Sequence, residues 1–170
     1  MHLQYHDLTI RSALPSDAPQ LVRWWNDGAV MAHAGFPLGL GTTVEKEAAR
    51  LFSPGRLMLE YKNQLIGEMS WRDVGENTAE IGIKICESSF QEQGLGRIYL
   101  SLLIKELFAR GFDQIVLDTN LNNTRAQHVY EKLGFRKVAI RENSWHDQLG
   151  NPQSAVDYAL TPEDFMDYAV

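Results

Sequence analysis

Apolar and polar positions alternate over Glu80-Ile81-Gly82-Ile83-Lys84-Ile85, with the isoleucines on one side and Glu80, Gly82 and Lys84 on the other. A period of two belongs to a strand covered on one face, and it predicts a strand over Thr78 to Ile85. The pattern then changes. Ile98 to Phe108 is mostly apolar, with Arg97, Ser101 and Lys105 in a single stripe at four-residue spacing. That is a largely buried helix, stopped at Gly111. Between strand and helix lies Gln91-Glu92-Gln93-Gly94-Leu95-Gly96-Arg97.

The rest of the chain divides on the same criteria. Leu8-Thr9-Ile10-Arg11 reads as a first strand, and Ser16 or Asp17 caps a helix reaching Trp24-Trp25, which Asn26-Asp27-Gly28 ends. Met31 to Gly41 is irregular, and Val44 to Leu51 reads as a helix. Arg56 to Tyr61 and Gln64 to Trp71 form a hairpin across Lys62-Asn63, which is not the favoured turn pair. Gln114 to Asp118 is a short buried strand, Thr124 to Leu133 a helix closed by Gly134, and Arg136 to Glu142 and Ser154 to Leu160 two last strands. Thr161-Pro162-Glu163-Asp164 opens a short closing helix. Hairpins and strand–helix units together predict an α/β (α+β) three-layer arrangement, one domain over 1–170 with a mixed, mostly antiparallel sheet flanked by helices.

Composition narrows the function. At 170 residues, with 44% hydrophobic and 22% charged, the chain can bury a core of ordinary size without disulfide or metal staples. Its single cysteine, Cys86, excludes an intrachain disulfide and most zinc sites, and it fits a reducing, cytoplasmic setting. Neither a signal peptide nor a membrane-spanning run is visible. A net charge of −6 argues against nucleic acid as a partner and favours a cationic acceptor.

Two glycines at a helix start suit a phosphate. The first helical turn has unpaired N–H groups and partial positive charge, glycine lets an anion approach the backbone, and Arg97 adds a cation. The spacing matches neither a Walker loop nor a dinucleotide fingerprint. Gln91-x-x-Gly94-x-Gly96 instead resembles the acyl-CoA pyrophosphate loop of the GNAT N-acetyltransferases. A second stretch, Asn123-Thr124-Arg125-Ala126-Gln127-His128-Val129-Tyr130-Glu131-Lys132-Leu133-Gly134-Phe135, resembles that family's N-x-x-A-x-x-x-Y-E-K-L-G-F segment. The specific motif region is 80–135.

The resemblance implies a sheet of about seven strands whose middle pair splays to admit acetyl-CoA. It implies that the loop residues Gln91, Glu92, Gln93, Gly94, Leu95, Gly96 and Arg97 hold the pyrophosphate. Ile83 and Ile85 would pair with the pantetheine arm through their main chain, and Asn123, a natural helix cap, would also bond that arm. Tyr130, a core aromatic on composition alone, becomes the acid that protonates the departing thiolate. Glu80 is the expected base, with Glu68 and water as rivals. Trp25, His33 and Phe36 are expected at the acceptor pocket, along with Trp24, Asn26, Trp71 and Trp145. Cys86 reads as packing.

The expected activity is acetyl transfer from acetyl-CoA directly to a primary amine, without metal, by a monomer or homodimer. Trp24-Trp25-Asn26-Asp27 and Asp157-Tyr158-Ala159-Leu160 resemble the branch that acetylates ribosomal-protein amino termini, a branch that also holds aminoglycoside and polyamine acetyltransferases. The alternative from another class is a non-catalytic acyl-CoA-binding regulatory module on the same fold.

Overall fold

The computed structural model describes residues 1–170. Eight strands form one sheet: β1 (His2–Tyr5), β2 (Leu8–Ser12), β3 (Arg56–Tyr61), β4 (Gln64–Asp73), β5 (Thr78–Ile85), β6 (Gln114–Asn120), β7 (Arg136–His146) and β8 (Pro152–Leu160). Their order is β1-β2-β3-β4-β5-β6-β8-β7. Every neighbouring pair is antiparallel except β5 and β6, which run parallel. The helices are α1 (Ala18–Trp25), α2 (Gly28–Met31), α3 (Ala48–Leu51), α4 (Leu95–Ala109) and α5 (Thr124–Lys132).

The sheet separates two cores. The larger includes Leu57, Leu59, Ile81, Leu100, Leu103 and Tyr130, and lies against α4 and α5. The smaller joins Leu21, Trp24, Trp25, Leu51 and Met58, against α1 to α3. Strand parity assigns each residue to its side. Ile81 belongs to the larger core, so Gly82 and Lys84 face the side of the smaller one. No helix is long and apolar enough to cross a membrane.

Several elements differ from expectation. There is an eighth strand, β1, in which exposed His2 and Gln4 alternate with half-buried Leu3 and Tyr5 and which pairs with the edge of β2. The expected helix from Val44 is only Ala48–Leu51. Residue 17 does precede α1, but the Asp17 carboxylate turns back to the Leu14 N–H at 2.7 Å and to Arg11 at 2.7 and 2.9 Å. Arg11 thereby holds the carboxyl of Asp17 below the usual range. The Lys62-Asn63 turn works because both residues take positive φ (51° and 65°), as a two-residue hairpin of this twist requires. β7 and β8 run longer than expected, which shortens their turn to residues 147–151.

The polar stripe on α4 is covered. Ser101 is fully buried and accepts from the Tyr168 N–H, and Lys105 binds the Ala169 carbonyl at 2.9 Å and Asp167 at 2.7 Å. Arg97 stacks 4.8 Å from the Tyr168 ring. Residues 165–170 thus finish the surface of α4.

Candidate active site

β5 and β6 pair at only three positions, Thr78/Gln114, Ala79/Ile115 and Glu80/Val116. Beyond Glu80 they part. β6 stays attached to β8 through Asn120, and β5 stays attached to β4 through Ile85. The facing edges from Ile81 onward therefore carry backbone N–H and C=O groups with no strand partner. A cleft of about 1010 Å³ opens there, bounded by Ile83 and Ile85 on β5 and by Asp118, Thr119 and Asn120 on β6.

The loop below the opening is tightly specified. Gly94 takes φ 76° at the start of α4, a left-handed value that glycine adopts without strain. The Gln91 side chain donates to the Ile85 carbonyl at 2.8 Å and so ties the loop to the end of β5. Gln91, Glu92, Gly94, Leu95, Gly96 and Arg97 all line the cleft. Gln93 does not: it is exposed and bonds the Ser89 carbonyl, so its side chain serves the loop itself. A Cβ on Gly96 would meet nothing within 4 Å. Protein packing therefore does not demand glycine at 96, and the space above it belongs to the cleft.

Across the opening, Asn123 caps α5 by accepting from the Ala126 N–H at 3.2 Å. Its amide N–H groups are left to the cleft it lines. Arg125 pairs with Glu92 at 3.2 Å and brings a third cation-bearing side chain, with Arg97 and Lys132, to this end. Tyr130, just over one and a half turns along α5, is 6% exposed and packs edge-on against Phe135 and Tyr158. No side-chain hydrogen bond ties its hydroxyl to the protein, and the residue lines the cleft. Burial, then the charge of Asp118, pushes the phenol pKa well above its ordinary value.

The remaining expected residues divide. Glu80 is not in the cleft. It pairs with Arg72 at 2.8 Å on the exposed surface and borders a separate shallow pocket, because β5 and β6 are still joined at its level. Glu68 is in the cleft, buried, and accepts from Trp25 Nε1 at 2.8 Å and from Arg56 at 3.1 Å. Asp118 was missed altogether. It sits in a short hydrophobic strand read as buried, yet its carboxylate is exposed in the cleft beside Arg141 at 2.9 Å. The hydrophobic–polar alternation of Leu117-Asp118 was the available signal.

At the far end, His33 and Trp145 line the cleft, whereas Trp25 and Phe36 do not. Trp25 is fully buried behind it and orients Glu68, and Phe36 lies on the outer surface of the loop. Arg50 and Arg56 reach the cleft over the Trp25 ring, 4.4 and 5.3 Å from its centroid. Cys86 is buried with its thiol pKa raised by desolvation, which fits packing and not nucleophilic chemistry.

A mixed sheet opened at its parallel pair, above a glycine-led helix start, defines the acyl-CoA N-acyltransferase class of fold. The chain belongs to the acetyltransferase (GNAT) family, whose profile matches residues 4–135. Among curated relatives, the ribosomal protein bS18-alanine N-acetyltransferase of Haemophilus ducreyi is 36% identical over 74 residues, 44% of this chain and 51% of the relative. The chain thus spans about half the length of that relative. The enzyme of the same name from Haemophilus influenzae is 30% identical over 120 residues, covering 71% of this chain and 79% of the relative. The crystal structure of the ribosomal-protein-S18-alanine N-acetyltransferase from Escherichia coli superposes with a TM-score of 0.70 at 25% identity, over 94% of this chain and 95% of that one.

Proposed function

We propose that this protein is an N-acetyltransferase that moves the acetyl group of acetyl-CoA directly to a primary amine. The observation that carries the reading is the parting of β5 and β6 beyond Glu80, directly above the N-terminus of α4. The pantetheine arm pairs with the free edge of β5 near Ile83 and Ile85, as an added strand would. The pyrophosphate rests on the N–H groups at residues 91–97, where the helix dipole favours an anion and Arg97 and Arg125 add charge. Asn123 bonds the arm from the opposite wall.

This placement puts the thioester beside Tyr130. An aliphatic amine is mostly protonated at neutral pH, its pKa being about 10, and must lose a proton before it attacks. Glu80 is on the wrong part of the strand for that task. Asp118 is the cleft carboxylate whose charge bears on Tyr130, so it takes the proton, directly or through water. The amine nitrogen bonds to the acetyl carbon, and an unpartnered N–H of β5 holds the oxyanion. The C–S bond then breaks, the Tyr130 hydroxyl gives its proton to the leaving sulfur, and the surplus proton on the new amide nitrogen passes through water to restore the phenol. Burial keeps that phenol protonated.

A thiol-release assay with acetyl-CoA and a panel of amines and peptides tests the activity. Turnover of any primary amine supports it. Tight CoA binding without turnover of any acceptor would favour the binding-module alternative. The single buried thiol and the absence of a membrane-crossing helix accord with a cytoplasmic setting.

A further inference from the structure

The acceptor end of the cleft carries a charge pattern opposite to that of the whole chain. Antiparallel register aligns two rows across β3, β4 and β5 on the face toward α1 to α3. One row is Met58-Glu68-Lys84 and the next is Arg56-Ser70-Gly82. Lys84 and Gly82 flank Ile83, the strand position assigned above to the thioester arm. With strands about 4.8 Å apart, Arg56 starts roughly 10 Å from Gly82, and both residues line the cleft. Gly82 keeps the path low, since a Cβ there would already lie 3.2 Å from Ser70 Oγ.

The cations of this floor are under-used. Arg56 has 13% of its side chain exposed and gives one N–H to Glu68. Its Nε is sealed from solvent with no partner at all. A guanidinium has five N–H donors, and this one leaves its Nε desolvated and unpaired beside the single bond to Glu68. Lys84 lines the same space and pairs with no carboxylate, although Glu68 is its cross-strand neighbour. Arg50 shares the Trp25 ring with Arg56 and is countered by Glu47 at 3.2 Å. Glu47 and Glu68 counter two of these three cations, and Asp118, also in the cleft, is paired with Arg141.

The same end is roofed. Gln148, in the β7–β8 turn, donates its backbone N–H to the Gly35 carbonyl at 2.7 Å. Its side chain accepts from the Leu38 N–H and donates to the Gly39 carbonyl, both at 2.9 Å. The Trp145 ring lies so close to Gly35 that a Cβ there would come within 2.4 Å of it. The hairpin is therefore strapped onto the loop that carries His33, across the acceptor end.

We propose that the acceptor is a small amino acid, whose carboxylate is held by Arg56 and Lys84 while its amine points at the thioester beside Ile83. This rests on the acetyltransferase reading above. A roofed pocket with an unsatisfied guanidinium suits a compact carboxylate-bearing amine. It does not suit a polyamine, which Arg50, Arg56 and Lys84 would repel.

The test compares L-α-amino acids with apolar, polar and charged side chains, each against its own carboxamide and its decarboxylated amine, plus an alanine-led hexapeptide and spermidine. Thiol release measures turnover, and calorimetry on the CoA-loaded protein measures acceptor binding. At least one free amino acid should exceed its carboxamide by at least about tenfold in kcat/KM, the low end for an anion paired with a desolvated arginine. Arg56→Gln should bring acid and amide to within about twofold, and Lys84→Gln, a substitution at a more exposed position, should shrink the preference severalfold. Both should leave CoA affinity unaltered. Equal handling of acid and amide in turnover and in calorimetry, better use of the peptide or spermidine, or a preference untouched in the Lys84→Gln and Arg56→Gln proteins would overturn the proposal. Those results leave the acetyltransferase reading intact. A protein that binds no CoA would remove the reading on which the proposal rests.

Discussion

On the proposed reading, the cofactor end of the cleft draws on one stretch of chain, between Ile83 and Tyr130. The acceptor end takes side chains from α3, β3, β4, β5, the loop after α2 and the β7–β8 turn. At the cofactor end the working parts are unpaired strand edges, a left-handed Gly94 and the first N–H groups of α4. Such groups are the same whatever the side chains are, so they suit a ligand held through the main chain. At the acceptor end each contact depends on which side chain a distant segment supplies. Trp25 gathers three of them, with Arg50 and Arg56 over its ring and Glu68 on its Nε1. The first end is built for a constant ligand and the second for a particular one.

The sharpest way to break this division is Gly96→Val. The branched side chain would fill open space above the helix start without touching protein, and valine is no worse than glycine within a helix. The fold should survive while CoA no longer raises the melting temperature. The wild type should gain about 2.7 kcal/mol at a hundred times Kd. A variant stabilised like the wild type would show that the pyrophosphate lies elsewhere.

Next in size are the two groups at the junction of the ends. Tyr130→Phe keeps the packing against Phe135 and Tyr158 but removes the acid, and kcat should fall at least about tenfold, or about 1.4 kcal/mol. Asp118→Asn should cost a similar factor. Because burial raises the Tyr130 pKa, its protonated form persists to higher pH than in a free tyrosine. The wild type should therefore show no loss of kcat from this group up to at least pH of about 10. An alkaline limb below that pH that disappears in Tyr130→Phe would show that burial does not raise the pKa of this phenol.

A smaller effect is expected from Gln148→Ala. It removes two hydrogen bonds of the strap, each worth about 0.5–1.5 kcal/mol, and should raise the acceptor KM severalfold with CoA affinity unchanged. Equal weakening of both ligands would mean that the two ends are coupled. The smallest effect belongs to Glu80→Gln. The carboxylate is exposed and paired only with Arg72, an arrangement worth about 0–1 kcal/mol, so kcat and stability should both stay within about twofold of wild type. A loss of activity comparable to that of Asp118→Asn would return the base to Glu80.

The amino-acid sequence by itself determined what neighbouring residues decide. The isoleucine alternation marked β5, the apolar run and Gly111 marked α4, and Gly94 and Gly96 marked the helix start between them, since period, helix capping and backbone freedom are local properties. Asn123 and Tyr130 were legible for the same reason, being fixed along one helix. Only the tertiary structure decided the rest. It separated Glu80 from Glu68 and Asp118, because whether a carboxylate faces the opening depends on where β5 and β6 part. It put Trp25 behind the pocket and Phe36 outside it, because burial depends on which helix covers which face of the sheet. It drew Arg50, Arg56 and Lys84 together in a chain of net charge −6, because total charge carries no information about position.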